Sequence, residues 1–267
     1  APAREFVLFT LARSLSDYPP GQINKQVTGF LASLPAEVRI AHPEHPGNSV
    51  AMFNIAAAAT GAEAEWERQT ASLDATELIR ENQQAWPAEY MQATPVRRDG
   101  FRRSAATYAD LELAGLAESA LKQADAHPEL AIIVSMAGLR LGDVRLFSDS
   151  LAGNDHHGLA EMIRLSRDVF HQGDLNQILT NAVQQAPAST ASVVIAELAP
   201  ALLHQTQVED LMFELLGDRD LGASAALALS KTPSVRVRSR LADVADSDSG
   251  MSARRAELAL DAAGGAR

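Results

Sequence analysis

The sequence predicts an all-α protein, and three observations support that prediction. The chain has 267 residues, of which 46% are hydrophobic but only 5% are aromatic. Its apolar residues are mostly Ala and Leu, which favour helices over strands. Apolar residues also recur three and four positions apart, the spacing of one face of a helix. A chain of this length buries enough surface to fold without disulfides or metal ions.

The charge balance argues against one large class of function. The chain carries 23 Lys and Arg against 34 Asp and Glu, a formal net charge of −11. Nucleic-acid binding normally depends on a basic surface that neutralises phosphates, so we expect no nucleic-acid partner. No apolar run reaches the roughly 18 residues that a membrane helix needs, so we also expect no membrane span.

The cysteine count and the first residues bear on the compartment. The absence of Cys excludes disulfides, a thiolate nucleophile and Cys-based metal sites. The start Ala1-Pro2-Ala3 is typical of a mature protein whose signal peptide was removed after a small-residue site. A cysteine-free chain also suits an oxidising compartment. We therefore expect a periplasmic or secreted protein of the bacterial envelope, with a cytoplasmic protein as the alternative.

The N-terminal region, residues 1–99, is predicted to be helical but irregular. Apolar spacing predicts helices over residues 6–15, 27–34 and 74–84. Two segments punctuated by Pro or Gly, 42–47 and 94–100, are predicted to be loops. We place a soft domain boundary at the second loop, after residue 99.

The middle of the chain also follows a helical pattern. Apolar spacing predicts helices over residues 111–121 and 159–170. The β-branched segment 131–136 is compatible with a buried strand or a buried helix, since periodicity alone does not separate the two. Its position between helical segments favours a helix.

The C-terminal side has the most regular pattern. Residues 175–203, 208–231 and 235–263 each predict a helix, a short turn and a second helix, at a spacing of about 30 residues. One helical hairpin cannot bury its apolar face alone, so hairpins at a fixed period favour a stacked array. We therefore expect residues 100–267 to form a helical-hairpin array, although one continuous domain stays open.

Two segments of this array resemble HEAT-like repeats. Residues 216–229 (LGDRDLGASAALAL) and 233–242 (PSVRVRSRLA) are similar to that family's turn followed by an Ala- or Leu-rich second helix. The resemblance covers residues 172–267 and implies an α-solenoid that binds another protein on its surface. Pro200 departs from the pattern, and we expect it to kink or end its helix.

Six arginines are candidate binding residues. Guanidinium groups bind carboxylates and phosphates through paired hydrogen bonds, so a cluster of them can hold an acidic partner. Alternatively, these arginines form a solvated face that balances the acidic remainder of the chain. The first cluster surrounds a predicted turn and the second shares a predicted helix face: Arg97, Arg98, Arg102 and Arg103; Arg236 and Arg240.

Two histidine clusters are candidate metal ligands. His42 and His45 flank Glu44, and His156 and His157 follow Asp155. Imidazole and carboxylate groups bind divalent metals, so convergence of the four histidines would make a zinc site. Solvated loop residues are the alternative for both clusters.

The sequence favours a non-enzymatic scaffold or adaptor that binds another protein. It has no nucleophile elbow, no phosphate-binding loop and no dinucleotide fingerprint. We accordingly expect no cofactor and assign no catalytic residue. The alternative function is a metal-dependent hydrolase that uses the histidines at 42–45 and 156–157.

Overall fold

The protein is all-α, as predicted. The computed structural model describes residues 2–45, 47–124, 126–153, 158–247 and 250–265. The chain divides into two compact units, 1–108 and 109–267, and each is described by itself. Within the described ranges the only strands are two of three residues each, and helices form most of both units. The predicted helices 131–136 and 159–170 are confirmed.

The first unit contains five helices and a small hairpin among its described residues. In chain order the elements are α1 Pro2–Ser14, α2 Gln22–Ala32, β1 Arg39–Ala41, β2 Ser49–Ala51, α3 Ile55–Asn82, α4 Trp86–Gln92 and α5 Pro95–Ala105. The strands β1 and β2 pair antiparallel. Short 3-10 turns follow α1 and α3.

The long helix α3 organises the first unit. It has 28 residues, which corresponds to about 42 Å, and α1, α2 and α5 all pack against it. Its start is fixed by Asn54, whose side-chain oxygen accepts a hydrogen bond of 3.0 Å from the Ala57 amide. Trp66 is buried and donates its indole N–H to the Tyr18 carbonyl at 2.7 Å, which ties the end of α1 to the middle of α3.

Close approach of α5 to α3 depends on a glycine. A Cβ atom on Gly100 would lie 2.2 Å from the Arg68 carbonyl oxygen, so only glycine fits at this crossing. Beside the crossing, the Tyr108 hydroxyl donates to the Ala75 carbonyl at 2.8 Å and accepts from the indole N–H of Trp86 at 3.0 Å. These buried hydrogen bonds hold the end of α5 on α3.

One prediction for the first unit is corrected by the structure. The predicted loop 94–100 is wrong, because Thr94 caps a helix that starts at Pro95, the position in a helix that best tolerates proline. The first compact unit extends past the soft boundary at residue 99 to Tyr108 and includes α5, which packs on α3. The predicted helix 74–84 covers the last part of α3 and the start of the 3-10 turn after it. The described residues of the predicted loop 42–47 lie in the turn of the β1–β2 hairpin.

The second unit consists of ten helices in the described ranges. They are α6 Asp110–Leu121, α7 Ala131–Leu141, α8 Val144–Gly153, α9 Leu159–Val169, α10 Gln172–Gln185, α11 Ala188–Leu202, α12 Thr206–Leu215, α13 Gly222–Ser230, α14 Val235–Ser247 and α15 Met251–Gly265.

The helices from α7 to α15 pack in an alternating order and share an apolar core. Contacts join α7 to α9, α9 to α11, α11 to α13 and α13 to α15, and α8 contacts α10. The core runs from Leu139 to Ala259. The predicted helix pairs over 175–203, 208–231 and 235–263 are present as α10–α11, α12–α13 and α14–α15. Pro200 lies within α11, which ends two residues later at Leu202.

Candidate functional site

An open groove in the first unit lies between α1 and α3. Phe6 contacts Phe53 just before α3, and Gln69 further along α3 donates to the Ser16 carbonyl, so the two helices run in the same direction. The groove has a volume of about 1030 Å³. Residues three or four positions apart on each helix line it, namely Phe6, Phe9, Thr10 and Arg13 on α1 and Ala57, Ala58, Gly61, Ala62, Glu65 and Arg68 on α3.

One end of the groove is aromatic and its floor is made of small residues. The Phe6 ring lies 5.7 Å from the Phe53 ring, and the Phe9 ring lies 6.0 Å from it. Phe6 nevertheless remains 55% exposed. A Cβ atom placed on Gly61 would have no neighbour within 4 Å, so no internal contact requires a glycine there.

The other end of the groove is charged. Glu65 accepts hydrogen bonds from Arg68 at 2.9 Å and from Arg103 at 2.5 Å. The hydrogen bond from Arg103, with that from Arg68, outweighs partial burial and lowers the pKa of Glu65 below its ordinary value. The Arg13 guanidinium lies 5.9 Å from the centre of the Phe9 ring, and it has no ion-pair partner among the described residues.

All four arginines of the first predicted cluster have partners within the first unit. Arg97 pairs with Asp74 at 2.8 Å, and Arg103 pairs with Glu65. Arg98 donates to the carbonyls of Tyr90 and Met91 in the last turn of α4, where the Tyr90 carbonyl also accepts from the Ala93 amide. Arg102 pairs with Asp99 and donates to the Tyr90 hydroxyl. These contacts connect α5 to α3 and α4, and binding of an acidic partner stays a prediction.

The second predicted arginine cluster surrounds a buried carboxylate. The Glu209 side chain is only 4% exposed, and it pairs with Arg236 and Arg240. Arg240 also pairs with Asp210 and lies 4.1 Å from the centre of the Phe213 ring. Burial alone would lower the pKa of Arg240, but hydrogen bonds to Asp210 and Glu209 raise it above the ordinary value. The two arginines therefore join α14 to α12.

The histidine clusters remain a prediction. The His42 and His45 rings lie 4.6 Å apart, and Nδ1 of His42 accepts the backbone amides of Glu44 and His45. Of the two ring nitrogens of His42, only Nε2 is therefore left for a metal. His156 and His157 lie outside the described residues, and within those residues no three His, Asp or Glu side chains converge as metal ligands.

The α1–α3 groove was not predicted from the sequence. The sequence feature that indicates this groove is the apolar content of α1. Phe6, Val7 and Leu11 occupy more than one face of the helix, and all three are exposed. A helix that buries only one face does not need apolar residues on its other faces for packing within its own unit.

The comparisons with known proteins assign this chain to no family. Comparison with protein-family models, curated proteins and solved structures found no match to this chain. Among the described residues, no helix combines the length and the apolar content needed to cross a membrane.

Proposed function

We propose that this protein is a non-enzymatic scaffold or adaptor that binds another protein. The observation that carries the proposal is the concentration of exposed apolar side chains in the first unit. Sixteen large apolar residues are exposed in the described ranges, and half of them fall within residues 6–52. Among them Phe6 lines the α1–α3 groove, and exposed apolar surface is typical of a protein–protein contact. These eight residues are Phe6, Val7, Leu11, Tyr18, Ile23, Phe30, Ile40 and Met52.

The packing of the second unit supports the scaffold part of the proposal. In stacked hairpins each helix contacts the helix two positions further along the chain, as α9, α11, α13 and α15 do in succession. We propose on this basis that residues 172–267 are HEAT-like repeats, in line with the resemblance of their sequence. Location in the periplasm or outside the cell stays a prediction.

Cross-linked capture from a native extract tests the proposal. Phe6→Ser removes an exposed ring at the groove, and Leu111→Ser is the matched control because Leu111 is 86% exposed in the other unit. We expect one protein to be captured by the wild type and the control, and about tenfold less of it by Phe6→Ser. Circular dichroism checks that both variants are folded.

Two results would contradict the proposal in different ways. Equal capture by all three proteins would exclude binding at the groove. Failure of all three to capture any protein specifically would exclude the scaffold function itself.

A further inference from the structure

We propose that the α1–α3 groove binds one amphipathic α-helix of the partner protein, with a carboxylate of that helix paired to Arg13. This inference rests on the proposed function and identifies the chemistry of its partner. It follows from four properties of the groove: its walls, its floor, its length and its charge.

The walls of the groove favour a helix over an extended peptide. Both walls are α-helices, whose interior N–H and C=O groups are already hydrogen-bonded to each other. An extended peptide lying between them would find no backbone partners and would leave its own polar groups unsatisfied. A helix satisfies its own backbone and needs only side-chain contacts.

The floor of the groove allows a helix to approach closely. Ala57, Ala58 and Gly61 present almost no side-chain bulk. Glycine inside a helix destabilises it relative to alanine, and nothing in the described structure compensates for that cost at Gly61. Gly100 is different, since the crossing of α3 and α5 requires it. Gly29 also meets no described neighbour, so what distinguishes Gly61 is its place on the groove floor, where the missing side chain leaves room for a partner helix.

The length of the groove fits a short helix. Its floor and charged end extend from Ala57 to Arg68 along α3, which is about 16 Å at 1.5 Å per residue. A partner helix of about three turns spans that distance. Apolar residues three and four positions apart would then contact Phe6 and Phe9 at the aromatic end.

The charged end selects an acidic residue on the partner. Glu65 and Arg68 already pair with each other, and Arg103 adds a second cation to Glu65. Arg13 is the groove cation that has no ion-pair partner in the described ranges. Asp17 lines the same end and would repel a carboxylate placed directly beside it. The partner carboxylate therefore belongs opposite Arg13, one turn before Asp17.

The probe for this inference is a phage-displayed library of random 14-residue peptides, selected on the 267-residue chain. Enriched peptides are then synthesised, and their affinity is measured by fluorescence anisotropy. Gly61→Leu fills the groove floor, and Gly29→Leu is its control because Gly29 also lies inside a helix with no neighbour within 4 Å. Arg13→Glu reverses the free cation, and Arg80→Glu makes the same charge change at an exposed position of α3 that does not line the groove.

We expect enriched peptides with apolar residues three and four positions apart and one Asp or Glu. Gly61→Leu should weaken their binding about tenfold or more, and Arg13→Glu about three- to tenfold. The two control variants should bind like the wild type. Proline at the centre of a peptide should abolish binding, because it breaks a helix but is tolerated in an extended chain.

The outcomes separate this inference from the proposed function. Selection of no peptide, or equal binding by wild type and Gly61→Leu, would overturn the helix-binding groove, while capture of a native partner would still support the scaffold. Peptides that depend on Gly61 but bind Arg13→Glu normally would overturn the carboxylate pairing. Peptides that tolerate a central proline would overturn the helical occupant.

Discussion

At the scale of single residues, Glu65 links the groove to the packing of α3 and α5. It lies on α3 and accepts hydrogen bonds from Arg68 on the same helix and Arg103 on α5. Its side chain is 23% exposed, so solvent screens these ion pairs only in part. A carboxylate held in this way has a pKa below its ordinary value, and its contribution to folding stability depends on pH.

We expect Glu65→Gln to lower the free energy of unfolding at pH 7 by about 0.5–1.5 kcal/mol. Because the pKa is lower in the folded state, the stabilisation is fully present above the ordinary value of 4.5. It is lost as the pH falls through the lowered pKa. Urea unfolding at pH 7, 5, 4 and 3 measures the difference between wild type and variant, which should shrink toward pH 3.

Glu81→Gln is the control for this prediction. Glu81 is exposed on the same helix, and no ion pair holds it among the described residues. We expect it to change stability by less than about 0.5 kcal/mol at each pH. A Glu65→Gln effect that is as large at pH 3 as at pH 7 would show that ionisation of Glu65 contributes nothing.

At the scale of elements, the crossing of α3 and α5 shows why helix packing excludes a side chain at one glycine position and not at another. Gly100 faces the backbone of α3 at a distance that excludes any side chain. Gly29 lies inside α2 and faces open space. The same substitution should therefore have opposite effects at the two positions.

We expect Gly100→Ala to destabilise the protein by about 1–3 kcal/mol, since the new methyl group must push α5 away from α3. Gly29→Ala should instead stabilise it by about 0.5–1 kcal/mol, because alanine loses less conformational entropy in a helix. Urea unfolding of both variants measures the two effects. Stabilisation by Gly100→Ala would show that the helices do not approach as closely as described.

At the scale of the whole molecule, the chain divides into two units whose contacts are mainly internal. The second unit has a continuous apolar core, from Leu139 on α7 to Ala259 on α15. A unit of this size with its own core is expected to fold independently.

We expect a fragment of residues 109–267 to keep a helical circular dichroism spectrum and to unfold cooperatively in urea. A fragment of residues 144–267 is the comparison, because removal of α6 and α7 exposes the buried ring of Phe147. That shorter fragment should unfold at lower urea concentration. Loss of cooperativity in the longer fragment would mean that folding of the second unit requires the first.

The sequence predicted features that depend on residues close together in the chain. The all-α class and the three C-terminal helix pairs follow from composition, periodicity and punctuation, which act over a few turns. Segment 131–136 was assigned to a helix from its position between helical segments. The helix that starts at Pro95 was missed, because proline breaks the interior of a helix but is favoured in its first turn, and the sequence alone does not separate the two roles.

Other features were decided by the tertiary structure alone. The groove exists because α1 lies along α3, and the partners of Arg103 and Arg236 lie 38 and 27 residues away in sequence. Periodicity shows which residues share a helix face, but it does not show which other element covers that face. The sequence by itself therefore determined the helices, while packing between distant segments decided which arginines are paired and which apolar surface stays open.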